Sequence, residues 1–130
     1  MRKIIALAAA LLISLSACSG GSNAAVTNLN VTEFANVLAA EDVVILDVRT
    51  PAEFASGHIE NAINVDAESG NFAAQIETLD KSKTYAVYCR SGNRSGNATK
   101  IMAEAGFTTL YNMNGGTIDW TNSGFPLTTN

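Results

Sequence analysis

The sequence predicts an α/β domain on a mostly parallel sheet, and three observations carry that prediction. Short β-branched runs alternate with stretches of helical spacing through residues 29–130. The runs at 43–48 and 85–88 are nearly continuously apolar, the pattern of strands covered by helices on both faces. A lone thiol, Cys89, closes the second run and opens a polar, glycine-containing turn, where open parallel sheets present their ligand sites.

Taken in order, residues 32–40 carry Phe34, Val37 and Leu38 at helical spacing, and Val43 to Val48 reads as a buried strand. Thr50-Pro51-Ala52-Glu53 is a capping box with proline at the first helical position. Ile63-Asn64-Val65 is a brief strand, 72–79 a helix, and Tyr85 to Tyr88 a strand ending at Cys89. A helix is expected over 95–105, stopped by Gly106, then a strand at 109–111 and a short helix at 118–121.

The first residues read differently. Arg2 and Lys3 precede an apolar run, Ile4 to Ile13, that exits through Ser14-Leu15-Ser16-Ala17-Cys18. A charged start, a short apolar stretch and a small-residue exit make a secretory signal over residues 1–17. The apolar run falls short of the about twenty residues needed to span a bilayer. Leu15-Ser16-Ala17-Cys18 resembles the lipobox of bacterial lipoproteins, which implies a lipidated Cys18 as the new N-terminus. An ordinary signal cut nearby is the alternative. Residues 18–28 have linker character, with a root-mean-square reach of roughly 17 Å, and the globular domain is expected over 29–130. The expected location is the bacterial cell envelope, lipid-anchored on the periplasmic side of the outer membrane.

Loss of the leader takes away two of eight cations and leaves a formal charge of −6, a poor balance for nucleic acid or anionic lipid surfaces. One histidine and no Cys-x-x-Cys provide neither a zinc nor a haem site. No phosphate-binding Gly-x4-Gly-Lys-Ser/Thr and no Gly-x-Ser-x-Gly elbow occur. Of the sequons at Asn30, Asn93 and Asn97, two lie in or beside the turn that follows Cys89, where a glycan would obstruct it, so a bacterial source with unmodified asparagines is preferred.

With Cys18 lipidated, Cys89 has no partner in the chain, and a free thiol in an exported protein needs a reason. Cys89-Arg90-Ser91-Gly92-Asn93-Arg94-Ser95 supplies one. Backbone amides and the positive end of the following helix would converge on the sulfur, and Arg90 and Arg94 would add two charges. Such a setting lowers a thiol pKa and makes a nucleophile near neutral pH. A buried structural cysteine is the competing reading, and the polar, cationic residues that follow count against it.

These residues resemble the single-domain rhodanese family of sulfurtransferases over about residues 29–128. Asp47-Val48-Arg49, Glu53-Phe54, Gly57-His58-Ile59, Ala62 and Asn64 are similar to the family's upstream signature. Gly115-Gly116, Trp120, Gly124 and Pro126 are similar to its C-terminal one. The leader adds a likeness to small envelope members. The resemblance implies a sheet of about five mostly parallel strands with helices on both faces. It also implies double-displacement transfer of a sulfane sulfur from thiosulfate through a Cys89 persulfide to cyanide or a thiol. Arg90, Ser91, Gly92, Asn93, Arg94 and Ser95 would form the binding loop. No cofactor or metal is required. The implied partners are a small anionic sulfur donor and the acceptor, with membrane contact only through the lipid, no nucleic acid, and a monomeric state.

Two classes of function stay open: an enzyme, and a carrier module that relays a persulfide between partners. A phosphatase or arsenate reductase of related architecture is disfavoured, because Arg94 follows Cys89 by five positions rather than six and closes a tighter ring. Asp47 and Arg49, one residue apart at a strand end, point to one side and are read as a scaffold ion pair near the site. His58 is expected to fix the turn after the short helix rather than act as a base, since attack by a thiolate needs none. Trp120 is read as packing a core edge, with a place near the substrate mouth as the alternative.

Overall fold

The computed structural model describes residues 25–130. Its elements are β1 (Val26–Leu29), α1 (Val31–Leu38), β2 (Val43–Asp47), α2 (Pro51–Ser56), β3 (Ile63–Asn64), α3 (Phe72–Ile76), β4 (Thr84–Tyr88), α4 (Asn93–Glu104), β5 (Thr109–Met113) and α5 (Gly116–Asn122). All five strands pair in parallel, in the order β1-β5-β4-β2-β3.

The two-residue period of β4 builds both cores at once. Tyr85, Val87 and Cys89 point into one cluster with Phe72, Ile76, Ala98, Met102 and Phe107, the face covered by α3 and α4. Ala86 and Tyr88 point into the other, with Phe34, Ile59, Met113 and Trp120, under α1 and α5. Covered on both faces, the central strand has no polar side to present, which is why it reads as an apolar run. From β2 the chain turns to β3 at one edge, whereas from β4 it turns the other way to β5. The carboxyl ends of β2 and β4 therefore meet at the switch point of the sheet, where a crevice is built into the topology.

The expected α/β class, the five parallel strands and the helices on both faces are observed. The first boundary differs. Val26 to Asn28, assigned above to the linker, belong to β1, which pairs with β5 from Val26↔Leu110 to Leu29↔Met113. As an edge strand with Thr27 and Asn28 exposed, β1 carries little apolar signal of its own and is held by its partner. The first helix starts at Val31 because Asn30 and Glu33 form a reciprocal capping box. The last two helices begin two residues earlier than expected, each after a glycine in the left-handed region, Gly92 and Gly115. The expected signal over 1–17 and the lipidated Cys18 lie outside the described residues.

Candidate active site

Cys89 follows β4 directly at the switch point, and Arg90, Ser91 and Gly92 link it to α4. Gly92 takes φ 97°, and a Cβ there would sit 3.1 Å from the Gly115 nitrogen, so this turn needs glycine for its conformation and for its neighbour. The turn brings the Gly92 N–H to the Cys89 sulfur at 3.0 Å. One turn into α4, the buried Ser95 hydroxyl donates to the same sulfur at 3.4 Å.

The loop's carbonyls are disposed of on the other side. The Cys89 carbonyl accepts from Thr117 N at 3.0 Å and the Arg90 carbonyl from Ile118 N at 3.2 Å, both in the first turn of α5. That turn comes close only because residue 116 is glycine, since a Cβ would overlap the Arg90 and Cys89 carbonyls. With its carbonyls tied back to the free N–H groups of a helix start, the loop is left with donors facing the sulfur. Burial pushes the Cys89 thiol up. Hydrogen bonding from the Ser95 side chain and from the backbones of Ser95, Ser91 and Gly92 outweighs it, so the net shift is downward, toward thiolate. Cys89 is fully buried, packed between its own loop and the core cluster under α3 and α4.

The two loop arginines have different surroundings. Arg90 is exposed and makes no ion pair among the described residues. Arg94 holds Glu53 bidentately at 2.7 and 2.9 Å, with Glu68 at 3.8 Å, and still lies close enough to Cys89 for the charge of that group to help raise the Arg94 pKa. The Arg94 hydrogen bonds pull the Glu53 carboxyl down to about 2, and the same pairing raises Arg94. The sequence places Glu53 in the capping box with Thr50, which is also present, and in the upstream signature, but does not give its partner Arg94. Its partner lies 41 residues away, and no local pattern announces that contact. Ser91 and Asn93 are exposed at the rim.

Beside this loop, at the end of β2, Arg49 Nη2 meets Asp47 Oδ2 at 2.6 Å and the Gly57 carbonyl at 2.6 Å. Asn64 Nδ2 donates to the Asp47 and Arg49 carbonyls at 3.0 and 2.9 Å. His58 is buried, stacked on Phe54, with its ring nitrogens 2.9 Å from the Phe54 carbonyl and 2.8 Å from that of Asn130. It ties the end of α2 to the C-terminal segment, with a carbonyl oxygen facing each ring nitrogen. Trp120 donates to the Pro126 carbonyl at 2.9 Å and packs on Phe34 and Phe125, within the core. Two surface cavities, of about 390 and 330 Å³, lie away from Cys89. One is lined by Glu41, Asp42 and Lys83 at the amino ends of β2 and β4, the other by Val26, Asn28 and Lys100 beside β1.

Residues 30–123 match the model of the Rhodanese-like domain. The chain is 33% identical over 93 residues to the thiosulfate sulfurtransferase GlpE of Shewanella oneidensis, an alignment covering 72% of this chain and 90% of that one. Its fold is similar to the crystal structure of a rhodanese-related protein from Thermoplasma volcanium, with TM-score 0.70, 28% identity and coverage of 79% and 98% of the two chains. It is also similar, with TM-score 0.70, 25% identity and coverage of 82% and 88%, to a protein from Rhodopseudomonas palustris described as a possible tyrosine phosphatase.

Proposed function

The chain belongs to the rhodanese-like family, and on that premise we propose that it is a thiosulfate sulfurtransferase that works through a persulfide on Cys89. The observation that carries this reading is the sulfur at the start of α4 with the Gly92 N–H at 3.0 Å and the Ser95 hydroxyl at 3.4 Å. In the first half-reaction the Cys89 thiolate attacks the outer sulfur of thiosulfate. The S–S bond of the donor breaks, its electron pair leaves with sulfite, and Cys89 keeps a persulfide. In the second, cyanide or a thiolate attacks the outer sulfur of the persulfide, and the Cys89 thiolate is released. The persulfide anion would lie among the inward-facing amides, which are fixed in place beforehand by the α5 contacts to the loop carbonyls. Arg90 is the loop cation left to meet the donor's two charges, because Arg94 is matched by Glu53.

Phosphate chemistry on a related fold is the reading that the Rhodopseudomonas neighbour invites. The five-position step from Cys89 to Arg94, with that arginine turned to Glu53, favours a single sulfur over a tetrahedral oxyanion.

Intact mass tests the proposal. Thiosulfate should add one sulfur atom to the protein, cyanide should remove it, and Cys89→Ser should abolish both changes. Wild-type protein that ignores thiosulfate yet takes sulfur from a persulfidated protein would be a carrier rather than a turnover enzyme. The proposal extends to a lipid-anchored location in a bacterial envelope, supported by the Leu15-Ser16-Ala17-Cys18 sequence. Cys18→Ala should leave the membrane fraction while Cys89→Ser stays in it; wild-type protein in the cytosol with Met1 intact would overturn that part.

A further inference from the structure

The Ser95 side chain has one proton and two acceptors. Its Oγ lies 3.4 Å from the Cys89 sulfur and 3.2 Å from the Gly92 carbonyl. The Gly92 carbonyl already accepts from Gly96 N at 3.0 Å, so it does not depend on the hydroxyl. Ser95 is fully buried, and its own carbonyl accepts from Thr99 Oγ1 at 2.9 Å. The backbone here is therefore held whichever way the hydroxyl turns.

The choice between the two acceptors depends on charge. A thiolate outcompetes a carbonyl for a neutral donor, because hydrogen bonds to ionised groups are about twice as strong. Once Cys89 carries a second sulfur, the inner sulfur is divalent and the negative charge sits on the outer one. The hydroxyl then has better reason to turn to the Gly92 carbonyl. Charge returns to the inner sulfur only when the S–S bond breaks.

We propose that Ser95 is a catalytic residue for the discharge half-reaction, its hydroxyl swinging from the Gly92 carbonyl to the Cys89 sulfur as that sulfur becomes the leaving thiolate. This inference rests on the persulfide reading above and deepens it. The step balances: the acceptor's electron pair forms the new bond to the outer sulfur, the S–S pair moves onto the Cys89 sulfur, and no proton is transferred. The Gly92 N–H contact is available in both states, whereas the hydroxyl can distinguish them, so its contribution falls on discharge.

Thiol chemistry gives this role a signature. A more basic thiolate is a better nucleophile and a poorer leaving group, with a rate dependence of about threefold for each unit of pKa in either direction. Ser95→Ala should raise the Cys89 pKa by about one unit, the scale set by one hydrogen bond to a charged group. At pH values above both pKa values, loading from thiosulfate should be unchanged or up to about threefold faster, and discharge to cyanide about threefold slower. Ser95→Thr, which keeps the hydroxyl, should restore discharge. The thiolate is followed by its ultraviolet absorbance against Cys89→Ser, loading and discharge by single-turnover mass measurements, and folding by thermal unfolding.

Opposite changes in the two half-reactions would support the role. Equal losses in both, or an unmoved thiolate titration, would overturn it. Wild-type protein that accepts sulfur from neither thiosulfate nor a persulfidated protein would overturn the sulfur-transfer reading and the discharge role with it. The titration would then still report separately on the contact between hydroxyl and sulfur.

Discussion

Two loops meet at the switch point of the sheet, and they treat polar groups in opposite ways. At the end of β2, Asp47 and Arg49 pair with each other, the Gly57 carbonyl accepts from Arg49 Nη2, and Asn64 donates to the Asp47 and Arg49 carbonyls. At the end of β4, the backbone carbonyls are tied away by α5 and the donors are gathered on one sulfur. In the first loop every buried side-chain polar atom has a partner within the protein. The second concentrates donors on an atom whose charge changes during the proposed reaction. The same topological position thus serves as scaffold on one strand and as reactive centre on its neighbour, and the difference lies in which groups are left with something to do.

The largest effect should come from breaking the first loop. Asp47→Ala leaves the Arg49 guanidinium buried beside Tyr88 without its counter-charge, and stranding one partner of a buried pair costs about 3–5 kcal/mol. Chemical denaturation should show that loss. Sulfur uptake by the folded fraction should stay close to wild type, whereas Cys89→Ser should do the reverse. Asp47→Asn, which keeps acceptors for Arg49, should lose less and serves if the alanine variant does not fold. A loss below about 1 kcal/mol would mean that the pair is not what holds this loop.

A smaller effect should follow from the brace between the loops, Glu53 with Arg94. Both side chains are partly open to water, so Glu53→Gln should cost about 1 kcal/mol. The pairing holds the Glu53 carboxyl near 2 in the folded protein against an ordinary value of 4.5. Its stabilisation is therefore present above about pH 4.5 and is lost as pH falls through about 2. Unfolding followed from pH 6 to pH 2 should show that acid loss in the wild type and a shallower one in Glu53→Gln. Parallel profiles would remove Glu53 from the acid response.

How much of this could be read in advance depends on the range of each interaction. Cys89 at a strand end before Gly92, the Asp47–Arg49 spacing and the Thr50–Glu53 box are encoded within a few residues, and each appears at its expected place. The brace joins residues 41 apart and exists only because β2 and β4 are neighbours. Gly115 and Gly116 were legible as a motif. Their use, letting the start of α5 reach the Cys89 and Arg90 carbonyls, requires the two loops in space. The strand β1 stayed hidden because two of its four residues are exposed and its order comes from β5.

The smallest effect, and the one that sharpens the contrast most, concerns Arg90. With Arg94 committed to Glu53, Arg90 is the exposed loop cation that can meet a doubly charged donor before it reaches the sulfur. An exposed charge acts at long range, and salt screens it, with a Debye length of about 8 Å at physiological ionic strength. Its removal should therefore appear in encounter rather than in the chemical step. Arg90→Ala should raise KM for thiosulfate by about three- to tenfold, leave kcat nearly unchanged and flatten the dependence of kcat/KM on salt. Stability should not move, because the side chain makes no ion pair among the described residues. Steady-state kinetics at low and high salt make the check. An unchanged KM and salt slope would assign donor recognition to the loop's backbone amides.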